Sequence, residues 1–236
     1  LLLLFGKRAR ETAWRMTVFW AARCIGAVGI RHELHLEHPL PEGPVVFAAN
    51  HNGTYDILTT FTALGPLKEF VFVAKHTVFR IPFLGWHIKL AGYISVNRSN
   101  REAAIRSLKL GGERIREGRS VVIYPEGTRS RDGSILPFKK GPFMLALEAG
   151  VPIIPVAIEG ALDCQPRKQL YVCPGTVRIM CGPAIPTAGL TEADRDDLMR
   201  VVRTEVIRMH KRLGGLGGDV DNAVAESGRA SAGAAA

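Results

Sequence analysis

The chain has 236 residues, 47% of them apolar, which is enough to bury one sizeable core and too little for several domains. Its 31 Lys and Arg against 22 Asp and Glu leave a net charge of +9, which favours an anionic partner: nucleic acid, a membrane surface or a phosphorylated substrate. The basic residues are not interleaved with aromatics in any nucleic-acid-binding pattern, so no nucleic-acid partner is expected. Cys24, Cys164, Cys173 and Cys181 form no C-x-x-C pair and stand at no zinc-finger spacing, so neither a redox motif nor a structural zinc site is indicated. Scattered buried thiols in a reducing compartment are expected instead.

Residues 1–38 read as a basic, amphipathic helical segment. The stretch 12–30 is long enough to span a bilayer, but Arg15 and Arg23 interrupt it, and a charge near a helix centre is disfavoured in lipid. Trp14, Phe19 and Trp20 beside Lys7, Arg8, Arg10, Arg15, Arg23 and Arg31 have the composition of a helix lying on an anionic membrane surface. A helix docked on the protein itself is the other reading. No cleavable secretory signal is recognisable, and the expected place is the cytoplasmic face of the cell membrane, as a peripheral or monotopic protein.

Pro39, Pro41, Gly43 and Pro44 then punctuate the chain and open a domain expected over 39–213. Short apolar runs at 45–49, 70–74, 93–96, 121–124, 153–158 and 177–181 read as strands, mostly continuous rather than alternating, as strands covered on both faces are. Helical patterns occupy 57–64, 101–117, with Ser99 or Asn100 as its cap, and 142–149, stopped by Gly150. Thr191 with Asp194 forms a capping-box start for a last helix with Leu198, Val202, Val206, Met209 and Leu213 on one face. The alternation predicts an α/β fold: a mixed, largely parallel sheet flanked by helices. From 214 the composition collapses to Gly, Ala and Ser, and 214–236 is expected to be a disordered tail.

Polar clusters follow three of the predicted strands, where α/β folds build their sites. In Asn50-His51-Asn52-Gly53-Thr54-Tyr55-Asp56, a His and an Asp five positions apart meet only if His51 lies in the turn and Asp56 in the first helical turn. Such a pair serves as base and orienting carboxylate, or else Asp56 merely favours the positive helix start. In Tyr124-Pro125-Glu126-Gly127-Thr128-Arg129-Ser130, Gly127 admits close approach of a ligand to backbone amides and Arg129 offers a planar fork for phosphate; a plain Pro/Gly turn is the alternative. Lys75 and Arg98 end two other strands, and with Arg129 they would form a positive pocket beside His51 if the strands share one direction.

In order, N-H-x4-D at Asn50, His51 and Asp56, the stretch from Gly92 to Arg98, E-G-T-R at Glu126 to Arg129 and V-P-I-x-P-V at 151–156 resemble the motifs of the lysophospholipid acyltransferase family over residues 45–158. The resemblance implies that His51 deprotonates the acceptor hydroxyl, which attacks the thioester of acyl-CoA or acyl-carrier protein, while Asp56 supports the imidazolium. It implies a phosphate site at Arg98, Glu126, Gly127, Thr128 and Arg129, helped by Lys75, and an acyl-donor region at Val151, Pro152, Ile153 and Pro155. No cofactor or metal is implied. The implied acceptor is the sn-2 hydroxyl of 1-acyl-glycerol-3-phosphate, giving phosphatidic acid; glycerol-3-phosphate, another lysophospholipid or a lyso-aminolipid keeps the same chemistry. Between His51 and Asp56 this chain departs from many relatives by carrying Asn52-Gly53-Thr54-Tyr55, which leaves acceptor identity open. Lys139 and Lys140 lie near the implied donor phosphates or are simply solvated. A lipid-binding module without catalysis would not need both His51 and Asp56.

Overall fold

The computed structural model describes residues 6–96, 101–166, 169 and 171–219. Helix α1 (Gly6–Ala27) leads into strand β1 (Ile30–Leu36), followed by β2 (Val46–Ala49), α2 (Tyr55–Leu64), β3 (Phe70–Lys75), α3 (Leu84–Leu90), β4 (Ile94–Val96), α4 (Arg101–Arg116) and β5 (Ser120–Ile123). Then come α5 (Gly141–Ala149), β6 (Ile153–Glu159), the single turn α6 (Ala161–Cys164), β7 (Gly175–Cys181) and α7 (Arg195–Arg212).

Among the described residues the strands form one seven-stranded sheet in the order β1-β7-β6-β2-β5-β3-β4. The pairs β6/β2, β2/β5, β5/β3 and β3/β4 are parallel, whereas β7 runs antiparallel to β6 and carries β1 parallel to itself at the edge. The sheet is therefore mixed and largely parallel, flanked by helices, as the alternation of elements predicts. Every residue of β2 and β5 is buried, which is why these strands read as unbroken apolar runs.

Two expected boundaries change. Strand β1, Ile-Arg-His-Glu-Leu-His-Leu, falls inside the segment read as helical, yet it pairs with β7 from Ile30 opposite Gly175 to Leu36 opposite Cys181. Only Ile30 of this edge strand is fully buried, so its charged residues conceal the pattern while discouraging pairing with another chain. The tail expected from 214 begins as packed structure: Gly217 N–H donates to His210 Nδ1 (3.1 Å), its carbonyl accepts from Ile135 N–H (2.7 Å), and the Asp219 carbonyl accepts from Arg203 Nη1 (2.5 Å). The glycines permit this approach, because a Cβ at Gly215 would meet the His210 ring at 2.2 Å and one at Gly218 the Ile135 carbonyl at 2.6 Å. Residues 220–236 lie outside the described residues. The thiols depart from expectation too, since Cys173 is exposed while Cys164 and Cys181 are buried.

Helix α7 starts as its sequence predicts. The Thr191 hydroxyl accepts from Ala193 N–H and Asp194 reaches back to Thr191 N–H, a capping box on a short 3-10 turn (Glu192–Asp194) that runs into the helix. Its buried face includes Leu198, Val202, Val206 and Met209. That face also takes in Arg203, whose guanidinium donates to the carbonyls of Leu136 (3.2 Å) and Ile135 (3.2 Å).

Helix α1 is docked along one face. The Trp14 ring packs against Phe61 and Phe70 at centroid distances of 5.6 and 4.9 Å, and its Nε1–H donates to the Gly65 carbonyl at 3.0 Å. Ala21 and Ile25 are buried beside it, whereas Met16, Phe19 and Trp20 stay exposed on the helix. Among the described residues no helix is long and apolar enough to cross a membrane. Trp14→Ala removes the ring contacts and the hydrogen bond together, so equilibrium urea unfolding is expected to give a stability lower by about 2 kcal/mol.

Candidate active site

The sheet topology gathers the predicted clusters on one edge. Because β2, β3 and β5 are mutually parallel neighbours, the segments leaving Ala49, Lys75 and Ile123 emerge on the same side. Asn50 fastens the first of them. Its side-chain amide donates to the Ile158 carbonyl (2.9 Å) and accepts from Ile158 N–H (2.7 Å), extending the β2/β6 pairing by a side chain. Asn50 stands beside His51 in the sequence, but only the folded sheet discloses this bridging role.

His51 and Asp56 meet as their spacing requires, with His51 in the turn and Asp56 in the first turn of α2. His51 Nδ1 lies 2.7 Å from Asp56 Oδ2, and the same oxygen accepts the backbone N–H groups of Asn52 (2.7 Å) and Gly53 (2.8 Å). Asp56 is fully buried and the His51 side chain is 16% exposed. With an acceptor-only carboxylate on Nδ1, that nitrogen carries the proton, and Nε2 presents a lone pair on the far side of the ring. The ring is clamped from below by Tyr124, stacked at a centroid distance of 4.1 Å and an interplanar angle of 18°. Burial, with the Asp56 charge nearby, raises the Tyr124 phenol well above its ordinary range, so it stays neutral.

Glu126 occupies a different place from the one expected for a phosphate ligand. It is buried, its Oε1 accepts His51 N–H (2.8 Å) and its Oε2 accepts Leu136 N–H (3.1 Å), so both oxygens face protein donors. Gly127, at φ 73°, turns the chain back so that its N–H donates to the Tyr124 carbonyl (3.0 Å), and the His51 carbonyl accepts Ser130 N–H (2.8 Å). This loop is thereby tied to the His51 turn at two points. Beyond Gly127 the chain is exposed at Thr128 and Arg129, and Arg129 Nη1 donates to Thr54 Oγ1 at 2.8 Å. The guanidinium therefore stands over the start of α2, two residues before Asp56.

Lys75 ends β3 exposed on the same edge. Arg98 lies outside the described residues. Val151, Pro152, Ile153 and Pro155 belong to the approach and body of β6, where Ile153 pairs with Val46 and Pro155 with Ala48, and they support β2 from the sheet rather than lining the site. An apolar cavity of about 220 Å³ is found elsewhere, between Val73, Ile94, Val96, Ile123, Leu145 and Tyr124, with Gly127 and Lys139 also at its wall. Continuous strand runs do not reveal which side chains leave such a space. Lys140 instead pairs with Asp196 at 2.8 Å. A larger hollow of about 350 Å³, polar and bounded by Glu159, Asp163 and Arg178, contains none of these site residues.

The model of the Acyltransferase family matches residues 31–159. The chain is 35% identical over 189 residues to human 1-acyl-sn-glycerol-3-phosphate acyltransferase beta, spanning 78% of this chain and 67% of that protein. It is 37% identical over 149 residues to 1-acyl-sn-glycerol-3-phosphate acyltransferase of Chlamydomonas reinhardtii, spanning 63% of this chain and 44% of that protein. Of the two, the algal relative is thus matched over less than half its length. The crystal structure of the 1-acyl-sn-glycerophosphate (LPA) acyltransferase of Thermotoga maritima superposes with a TM-score of 0.72 at 26% identity, over 88% of this chain and 82% of that one.

Burial raises the Glu126 carboxyl to about 8, against the two N–H bonds that favour its ionised form. A folded pKa above the unfolded one means that folding takes up a proton, so this contribution to stability is present below about pH 4.5 and is lost as pH rises through about 8. Glu126→Gln removes that dependence. Across this window its unfolding free energy is expected to gain up to about 5 kcal/mol on the parent chain, measured by denaturant titration at a series of pH values.

Proposed function

Because this chain belongs to the acyltransferase family, we propose that it is an O-acyltransferase that moves a fatty acyl group from a thioester onto the sn-2 hydroxyl of 1-acyl-glycerol-3-phosphate, giving phosphatidic acid. The observation that carries this reading is the position of Tyr124: its ring stacks on the base His51 and also walls the apolar cavity. An acyl chain in that cavity would bring its carboxyl end to the imidazole.

His51 Nε2 takes the proton of the acceptor hydroxyl as its oxygen attacks the thioester carbonyl carbon. The tetrahedral intermediate collapses, the carbon–sulfur bond breaks, and the imidazolium returns its proton to the leaving thiolate. No acyl-enzyme is needed. Asp56 holds the imidazole in one tautomer and stabilises its positive charge while both reactants are bound. The acceptor phosphate is held by Arg129 above the start of α2, with Lys75 adding positive potential from the end of β3. Glu126 acts indirectly, by fixing the His51 backbone.

The donor is acyl-CoA or acyl-carrier protein, and Lys139 beside the cavity suits the phosphate of either. The exposed Met16, Phe19 and Trp20 of α1 suit a helix lying on an anionic membrane, which would place the protein at the cytoplasmic face.

Purified protein is expected to acylate lysophosphatidate in preference to glycerol-3-phosphate or neutral lysophospholipids. His51→Ala and Asp56→Asn should each lower turnover by at least about a thousandfold, and full turnover in both would rule the mechanism out. Arg129→Leu is expected to act on binding, raising the acceptor KM about tenfold or more while kcat changes by a smaller factor; steady-state kinetics against acceptor concentration separates the two.

A further inference from the structure

Lys75 ends β3 at the site edge, and the chain does not return to the sheet until Ile94. Strand β4 pairs only with Val73, Ala74 and Lys75, the last residues of β3, so the connecting segment stays beside the edge that carries His51. It consists of a 3-10 turn (His76–Arg80) and α3. Ile88 and Gly85 turn inward, while Phe83, Trp86 and Leu90 are 78%, 63% and 70% exposed. Trp86 and Leu90, four residues apart, share one outward face of the helix, and Phe83 is its N-cap. Ile81 and Leu84 are exposed beside them, and the Phe83 and Trp86 rings meet edge to face at 5.3 Å.

The backbone supports this display. Phe83 has φ 61°, the only positive φ at a non-glycine residue among the described residues, and it is the most exposed of the large apolar side chains. A bulky residue held in a disfavoured conformation with its ring in water gains nothing from the fold itself. The charge along this stretch of chain has one sign. No Asp or Glu occurs anywhere from residue 70 to residue 101, while Lys75, Arg80 and Lys89 are exposed.

We infer that this crossover is a membrane-docking element: Phe83, Trp86 and Leu90 insert into the interface of an anionic bilayer, with Lys75, Arg80 and Lys89 on its headgroups. An indole and a phenyl ring beside an aliphatic side chain, rimmed by cations and free of acids, match the headgroup layer of such a surface. An acidic protein partner would use the cations but leave the large apolar face without an equivalent. Docking here would hold the site edge against the lipid that supplies the acceptor, so that the acceptor reaches His51 without crossing water. The inference rests on reading the acceptor as a lipid phosphate.

Phosphatidylglycerol vesicles provide the test. In the Trp20→Phe chain Trp86 is the exposed indole, and its fluorescence is expected to shift to the blue and to be quenched by brominated lipid. Phe83→Ser combined with Trp86→Ser is expected to bind the same vesicles at least about tenfold more weakly, with unchanged acylation of a short-chain lysophosphatidate in solution. An unquenched Trp86, or vesicle binding by the double variant as tight as the parent's, overturns the inference. Loss of transfer from acyl-carrier protein alone, with vesicle binding intact, overturns it in favour of a protein-docking face. The parent chain's activity on the short-chain acceptor tests the proposed reaction separately, because no membrane is involved.

Discussion

The site is organised around one buried oxygen, Asp56 Oδ2. Three donors converge on it: the His51 imidazole and the backbone amides of Asn52 and Gly53. Burying a carboxylate is costly unless such donors replace its water, and the turn from 51 to 53 supplies them by folding around the start of α2. The helix contributes a favourable field, since Asp56 lies in its first turn. Turn, helix start and imidazole orientation are therefore joined at one atom.

Around that oxygen lies a second layer of constraint that reaches across the fold. Glu126 joins the His51 backbone to Leu136, and Arg203 on α7 holds the carbonyls of Ile135 and Leu136. The last described residues close over the same guanidinium through the Asp219 carbonyl. A path of hydrogen bonds thus runs from α7, through the loop after β5, to the histidine. On the opposite side Asn50 ties the strand end to β6, so His51 is held between two neighbours of β2.

The polar and apolar halves of the site share a single ring. Tyr124 supports the imidazole with its face while contributing to the wall of the cavity. Its position at the end of β5 makes both possible, because β5 lies between β2, which leads to His51, and β3, which bounds the cavity. Apolar surface also continues outward on the crossover after β3, where inward Ile88 anchors a helix whose other side faces water.

Local chemistry explains what the sequence by itself determined. Strands covered on both faces read as continuous apolar runs, capping residues marked the last helix, and His51 with Asp56 could meet only across a strand-to-helix turn, so the α/β class and the contact between these two side chains were legible. Strand β1 was not, because an edge strand with one buried residue has no apolar period to detect. Glu126 read as part of a phosphate loop, since its motif does not say which way a side chain points; the parallel pairing of β2 with β5 turned it inward onto the His51 backbone. The glycines after α7 read as a tail, although the same absence of side chains lets them lie against His210 and Ile135. Direction, burial and the partner of each polar group depend on residues far apart in the chain, and only the tertiary structure decided them.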